Sequence, residues 1–101
     1  MSIIDKNSEL HQQMVTWRHH LHKHPELSFD ERMTSDYIAS ILQSHNIEIH
    51  RGLAVTGIVG TVHGQKEGNT IGLRADMDAL PIQELNDFSY KSVHDGKMHA
   101  C

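Results

Sequence analysis

Residues 71–81 constrain the fold most, because apolar and polar side chains alternate there and then give way to two acids. Ile71 and Leu73 stand two positions apart, the period of a pleated β-strand. Asp76 and Asp78 follow with the same spacing, so an extended backbone would point both carboxylates to one side. Such acids repel each other unless a cation or a donor lies between them. The stretch therefore predicts a strand that ends either in a ligand site or in a plain polar cap.

Two helical patterns precede this strand. Residues 5–23 carry one apolar stripe at spacings of four, three and four, formed by Leu10, Met14, Trp17 and Leu21. Pro25 ends that helix. Residues 29–44 form the second pattern, and Ser28 and Glu31 are spaced as a capping box in front of it.

Histidines crowd the end of the first helix, at His19, His20, His22 and His24. A cationic side chain is favoured near the carboxyl end of a helix, because the helix dipole is negative there. The favoured interpretation is a solvated helix end. A metal or substrate role is the alternative.

Three strands complete the predicted fold. Residues 47–50 and 55–62 have strand character, and a polar turn at residues 63–69 leads to the strand of residues 71–76. A short loop between two strands predicts an antiparallel hairpin of 55–62 with 71–76. The fold class is α/β, with two helices packed on a mixed sheet that contains a β-hairpin.

Charge and composition exclude several classes of protein. Nine Lys and Arg against 13 Asp and Glu give a net charge of −4, which argues against a nucleic-acid binder. No apolar run approaches the length of a membrane span, and the first residues lack the pattern of a signal peptide. A single Cys excludes an internal disulfide. We therefore expect a cytoplasmic protein without a membrane or nucleic-acid partner.

Two motifs resemble the start of the M20 metallopeptidase-like amidohydrolases. Residues 73–81 read LRADMDALP and residues 98–101 read MHAC. They are similar to the branch with hippurate hydrolases, N-acyl-amino-acid deacylases and indoleacetyl-amino-acid hydrolases, where the second motif continues as MHACGHDGHT. The resemblance covers essentially all 101 residues. It implies that residues 1–101 are the amino-terminal portion of a longer, zinc-peptidase-like catalytic domain, without the family's lid or dimerisation domain.

The resemblance also implies a chemistry and a set of residues. The longer enzyme that contains residues 1–101, called here the parent, would hydrolyse the amide bond of N-acyl amino acids with a metal-activated water. It would use two divalent ions of Zn, Mn, Co or Ni. Cys101 matches a metal ligand, and Asp78 matches a supporting acid that orients a metal-bound histidine. Asp76 stands where more distant members place a ligand histidine, and His99 lies next to the site without a ligating role. The parent would be a homodimer or larger homo-oligomer.

Two other interpretations stay open at the level of sequence. One is a catalytically inactive fragment or stand-alone binding module that lacks most of the metal site. The other is a carboxylate site for Mg or Ca, built by Asp76, Asp78 and Glu84.

Overall fold

The computed structural model describes Asp5 and residues 7–101, which form two helices, one two-stranded sheet and long irregular segments. The chain divides into two compact units. The first combines the chain up to Pro25 with Ala79–Cys101, and the second is Glu26–Asp78. In the described part of the chain, neither helix has the length and apolar character needed to cross a membrane.

Helix α1 of the first unit runs from Glu9 to Lys23. It begins four residues later than predicted, because the Ser8 side chain caps it by accepting from the backbone N–H of His11 at 3.2 Å. It ends before His24, whose φ of −120° lies outside the helical region. This end was predicted from Pro25, which is fully buried.

Helix α2 of the second unit runs from Arg32 to Ser44, and the capping box predicted for it is wrong. Glu31 stands at the N-cap and makes no side-chain capping bond. A turn closed by a bond from the Asp30 N–H to the Leu27 carbonyl, with Phe29 at φ 66°, occupies the positions where the helix was expected to begin.

The carboxylate of Glu26 takes over the capping role. One oxygen accepts from the backbone N–H and from the hydroxyl of Thr34, both at 2.6 Å, and the other accepts from the N–H of Met33 at 3.2 Å. A negative charge near the first turn of a helix is also favoured by the helix dipole. The start of α2 is therefore set by a residue six positions upstream of it.

The sheet consists of β1, Glu48–Leu53, and β2, Gly57–Thr61, paired antiparallel. Position 57 in this turn requires glycine, because the Cβ of any other residue would lie 2.5 Å from the Leu53 carbonyl oxygen. Helix α2 packs against both strands. Its Leu42 lies near Gly60 of β2, where an added Cβ would stand 3.6 Å from a leucine methyl.

The structure confirms that the chain contains an antiparallel β-hairpin. The prediction that residues 55–62 pair with residues 71–76 in this hairpin is wrong. β2 pairs with β1 instead, and the described residues form two antiparallel strands with no parallel neighbour. Residues 71–76 have no regular secondary structure and join no sheet among the described residues. The turn between β1 and β2 is shorter than the segment 63–69, so the local pairing costs less chain entropy.

Candidate functional site

A two-hydrogen-bond bridge in the first unit fixes the segment that carries the only thiol. The N–H of Leu80 donates to the Met98 carbonyl, and the N–H of Met98 donates to the Leu80 carbonyl, both at 3.0 Å. Cys101 follows three residues later and is a free, exposed thiol. The bridge therefore joins the start of the segment 98–101 to the residues that directly follow Asp78 in the chain.

The same unit is organised around the buried side chain of Glu84, which is only 2% exposed. Its carboxylate accepts from the Ser92 N–H at 2.6 Å, from Asn86 Nδ2 at 3.0 Å and from His22 Nε2 at 3.0 and 3.1 Å. Burial opposes its ionisation. The three donors and the charge of His22 outweigh that effect and lower the pKa of Glu84 to about 2.

Aromatic rings surround this ion-pair network. Tyr90 lies between Phe88 and His19, with ring centroids 4.1 and 3.7 Å away and nearly parallel planes. His22 meets Phe88 and Tyr90 edge to face, at 5.7 and 5.8 Å. The guanidinium of Arg18 lies 5.5 Å from the Tyr90 ring centroid. The irregular segment after residue 81 is therefore anchored to the carboxyl half of α1.

The prediction of a solvated histidine cluster at the end of α1 is wrong for His22, whose side chain is 13% exposed and bonded to Glu84. His24 lies 4.8 Å from the His20 ring and 6.5 Å from the His94 ring. Burial, and then the positive charges of His20, Lys23 and His94, lower the pKa of His24.

The two acids of the strand end lie in the second unit, and both are exposed. Arg74 binds Asp76 at 2.7 Å in a solvent-exposed ion pair. Asp78 and Asp76 line a cavity of about 590 Å³ together with Glu31. The described residues thus place Asp78 at the end of one unit and Cys101 in the other.

The potential metal ligands do not form a complete site within the described residues. In Asp5 and residues 7–101, no three His, Cys, Asp or Glu side chains are arranged to hold a metal ion. The Mg or Ca site predicted from Asp76, Asp78 and Glu84 is therefore not supported, and Glu84 is already engaged by three donors. The exposed Cys101 thiol fits one position of a transition-metal site, because thiolates favour such ions.

Glu84 is the residue whose role the sequence did not reveal. Its partners His22 and Ser92 lie 62 and 8 positions away, so no helical or strand period connects them. The available signal was a single acid within an aperiodic segment, which predicts neither burial nor a partner.

The chain is similar in sequence to longer hydrolases. No family model matches the chain. It is 45% identical over 94 residues to an N-acyl-L-amino acid amidohydrolase of Geobacillus stearothermophilus, covering 92% of this chain and 25% of that protein. It is 40% identical over 101 residues to the hippurate hydrolase of Campylobacter jejuni, covering 100% of this chain and 26% of the relative.

A solved structure gives the same match in three dimensions. The Bacillus subtilis YXEP protein, described as a dinuclear metal binding peptidase from the M20 family, superposes with a TM-score of 0.86 at 42% identity. The match covers 90% of this chain and 26% of that one. The chain spans about a quarter of the length of the curated relatives it matches.

Proposed function

We propose, since this chain is homologous to the amidohydrolases and peptidases of the M20 family, that residues 1–101 form the amino-terminal portion of the catalytic domain of a metal-dependent amidohydrolase. The observation that carries the proposal is the close structural match, at 42% identity, to a dinuclear metal binding peptidase. We call the polypeptide of the relatives' length that would contain this segment the full-length enzyme.

The proposed reaction is hydrolysis of the amide bond of N-acyl amino acids, which releases a carboxylate and a free amino acid. The names of two relatives, an N-acyl-L-amino acid amidohydrolase and a hippurate hydrolase, support this substrate class. A pair of divalent ions from the set Zn, Mn, Co and Ni would polarise the scissile carbonyl and activate water.

The residues of this chain would act by holding and orienting. Cys101 supplies a thiolate ligand, and the Leu80–Met98 bridge limits where the segment that carries it can lie. Asp78 would accept a hydrogen bond from the imidazole of a ligand histidine contributed from outside residues 1–101. Such a bond fixes the tautomer and the orientation of a metal-bound ring.

The remaining features of the proposal concern the setting of the enzyme. A small-molecule substrate fits the relatives' names, and a homo-oligomeric assembly follows from the family resemblance. An exposed free thiol is typical of a reducing compartment, so we place the enzyme in the cytoplasm.

A second candidate is a stand-alone module that binds without catalysing. The observation in its favour is that no three potential ligands come together within the described residues. The two candidates differ in what the rest of the relatives' length would contribute, and a direct assay of the full-length enzyme separates them.

The test is hydrolysis by the full-length enzyme loaded with Mn, Co or Zn. N-benzoyl- and N-acetyl-amino acids should release free amino acid, unacylated dipeptides should react more slowly, and a chelator should abolish both reactions. Turnover that is unchanged by the chelator, or a preference for unacylated dipeptides, would contradict the proposal.

A further inference from the structure

Three histidine rings lie close together where helix α1 ends. The ring centroid of His24 is 4.8 Å from that of His20, which precedes it by four positions on α1. It is 6.5 Å from the ring centroid of His94, in the irregular segment after Glu84. All three residues belong to the first unit. His20 and His94 are exposed and His24 is half-buried, so protons from solvent reach the group.

The charged groups that act on His24 are all cations among the described residues. Burial lowers the pKa of His24, and the charges of His20 and Lys23 on α1 and of His94 on the facing segment lower it further. Residues 91–97 add one more net positive charge, from their three other charged side chains, Lys91, Asp95 and Lys97. The end of α1 and the segment facing it therefore gather positive charge as the pH falls.

A backbone hydrogen bond joins the two elements at this place. The N–H of Val93 donates to the Lys23 carbonyl at 3.0 Å and so satisfies one of the last carbonyl groups of α1. The preceding residue is held separately, because the N–H of Ser92 donates to Glu84 at 2.6 Å. The Glu84 carboxylate is engaged by His22 as well. The Val93 bond thus lies between an anchor at Glu84 and a group of imidazoles.

We propose that His20, His24 and His94, called here the histidine latch, release residues 93–97 from the end of α1 when the pH falls below neutrality. Once His94 and a ring on α1 are both protonated, like charges face each other across the contact between helix and loop. The helix dipole favours cations at the end of α1 whether or not the loop is in place, so it does not offset this repulsion. Separation of the loop relieves the repulsion and breaks the Val93 bond.

The direction of the effect follows from the proton affinity of His24. Its pKa lies below the ordinary value of 6.5 while the loop is in place, and it moves back toward 6.5 when the loop departs. The open form therefore binds the proton more tightly. The closed form has its full advantage above pH 6.5 and loses it as the pH falls from 6.5 toward the lowered pKa of His24. The pKa of Glu84, at about 2, is far lower, so Ser92 stays anchored over this range.

The proton is the ligand that fits this group of rings. In the part of the chain that the structure describes, no three His, Cys, Asp or Glu side chains are arranged to hold a metal ion. The latch needs neither metal nor substrate, so it stands or fails independently of the proposed activity. Residues 93–97 lead directly to Met98, whose bridge to Leu80 precedes Cys101. The latch therefore controls how firmly one side of the thiol-bearing segment is tethered.

The test is amide hydrogen exchange of the 101-residue chain, followed residue by residue by NMR from about pH 7.5 to about pH 5.5. Dividing the intrinsic rate at each pH by the measured rate gives a protection factor that reports local opening. The protection factor of Val93 should fall at least about threefold over this range. That of Ser92, whose amide is bonded to Glu84, should stay constant.

Variants at position 94 separate charge from packing. His94→Gln should remove most of the fall at Val93, because the loop then lacks the ring that becomes charged. His94→Asp should invert the effect, since a protonated His24 would attract the loop and protection would rise on acidification. His11→Gln, near the opposite end of α1, is the matched control and should keep the wild-type fall. A loss of packing alone would change protection equally at every pH.

A protection factor of Val93 that stays constant in the wild type would contradict the proposal. An equal fall in wild type and His94→Asp would contradict it as well. An equal fall at Ser92 and Val93 would show that the loop detaches as a whole, without the histidine latch as the element that opens. Circular dichroism over the same range completes the test, because loss of the helices together with Val93 protection would mean global unfolding and would also overturn the latch.

Discussion

His22 donates from Nε2 to both carboxylate oxygens of Glu84, at 3.0 and 3.1 Å, across 62 positions of sequence. This contact joins the end of α1 to the irregular segment after residue 81. A bond from the Val93 N–H to the Lys23 carbonyl, at 3.0 Å, supports the same connection. The hydrogen bonds of the buried Glu84 carboxylate, together with this backbone bond, therefore connect the end of α1 to residues 84–93.

Glu84→Gln should lower the thermal denaturation midpoint of the chain. Glutamine keeps the size of the side chain, but it offers one acceptor oxygen where the carboxylate now serves three donors. Glu67→Gln, in an exposed loop, is the matched control and should leave the midpoint unchanged. Equal midpoints for the two variants would show that the Glu84 carboxylate does not stabilise the folded chain.

The contribution of Glu84 to the free energy of unfolding should also decrease as the pH falls. Its pKa falls from 4.5 to about 2 on folding, so the unfolded chain binds the proton more tightly. The stabilisation is complete above pH 4.5 and is lost as the pH falls toward 2. Urea denaturation of wild type and Glu84→Gln should show a difference that shrinks over this range. A difference that grows on acidification would contradict the assignment.

Glu26→Ala should destabilise the second unit by about 1–2 kcal/mol, because it removes the acceptor for the first amides of α2. Ser28→Ala should change the free energy of unfolding by less than about 0.5 kcal/mol, as expected of an exposed site. Chemical denaturation followed by circular dichroism measures both. A larger loss of unfolding free energy for Ser28→Ala would support the capping box that the sequence predicted.

What the sequence could predict depended on the distance between interacting residues. The apolar stripe that contains Leu10 and Trp17 lies within a few turns, and it predicted α1. Glu26 and Thr34 are eight positions apart, too far for the capping signature that favoured Ser28. His22 and Glu84 are joined only by the fold, so their contact left no local pattern.

The strand predicted at residues 71–76 shows the same limit of local patterns. Alternation predicted a strand at these residues, but they have no regular secondary structure. Alternation does not specify a pairing partner. β2 pairs with β1, to which it is connected by a shorter turn. The candidate site was predicted from the motifs instead: they singled out Asp78 and Cys101, whereas the role of Glu84 is visible only in its burial and hydrogen bonds.

The 101-residue chain should not hydrolyse amides by itself, even when loaded with Mn, Co or Zn. A two-metal hydrolytic site needs several ligands and a general base, and no three potential ligands meet among residues the structure describes. Incubation with N-benzoyl- and N-acetyl-amino acids, followed by assay of free amino acid, tests this. Metal-dependent release that disappears in Cys101→Ser would show that the chain is sufficient.

Asp78→Asn in the full-length enzyme should keep the fold and weaken metal retention or activity by about 10–100-fold. Asparagine lacks the charge that would hold a ligand imidazole in its binding tautomer. Asp36→Asn is the control, because Asp36 forms an exposed ion pair with Arg51 at 2.6 Å and such pairs contribute little. Wild-type metal content and turnover in Asp78→Asn would exclude Asp78 from the site.

The most direct test of the proposed metal chemistry is the metal content of the full-length enzyme, compared between wild type and Cys101→Ser. Cys101 is the one thiol of residues 1–101 and is exposed. After dialysis against metal-free buffer, elemental analysis should find bound transition metal in the wild type. In Cys101→Ser the metal should be lost, and hydrolysis of N-acyl amino acids should fall by more than about 100-fold. Equal metal content and equal turnover in the two proteins would contradict the role assigned to Cys101 and the metal site built on it.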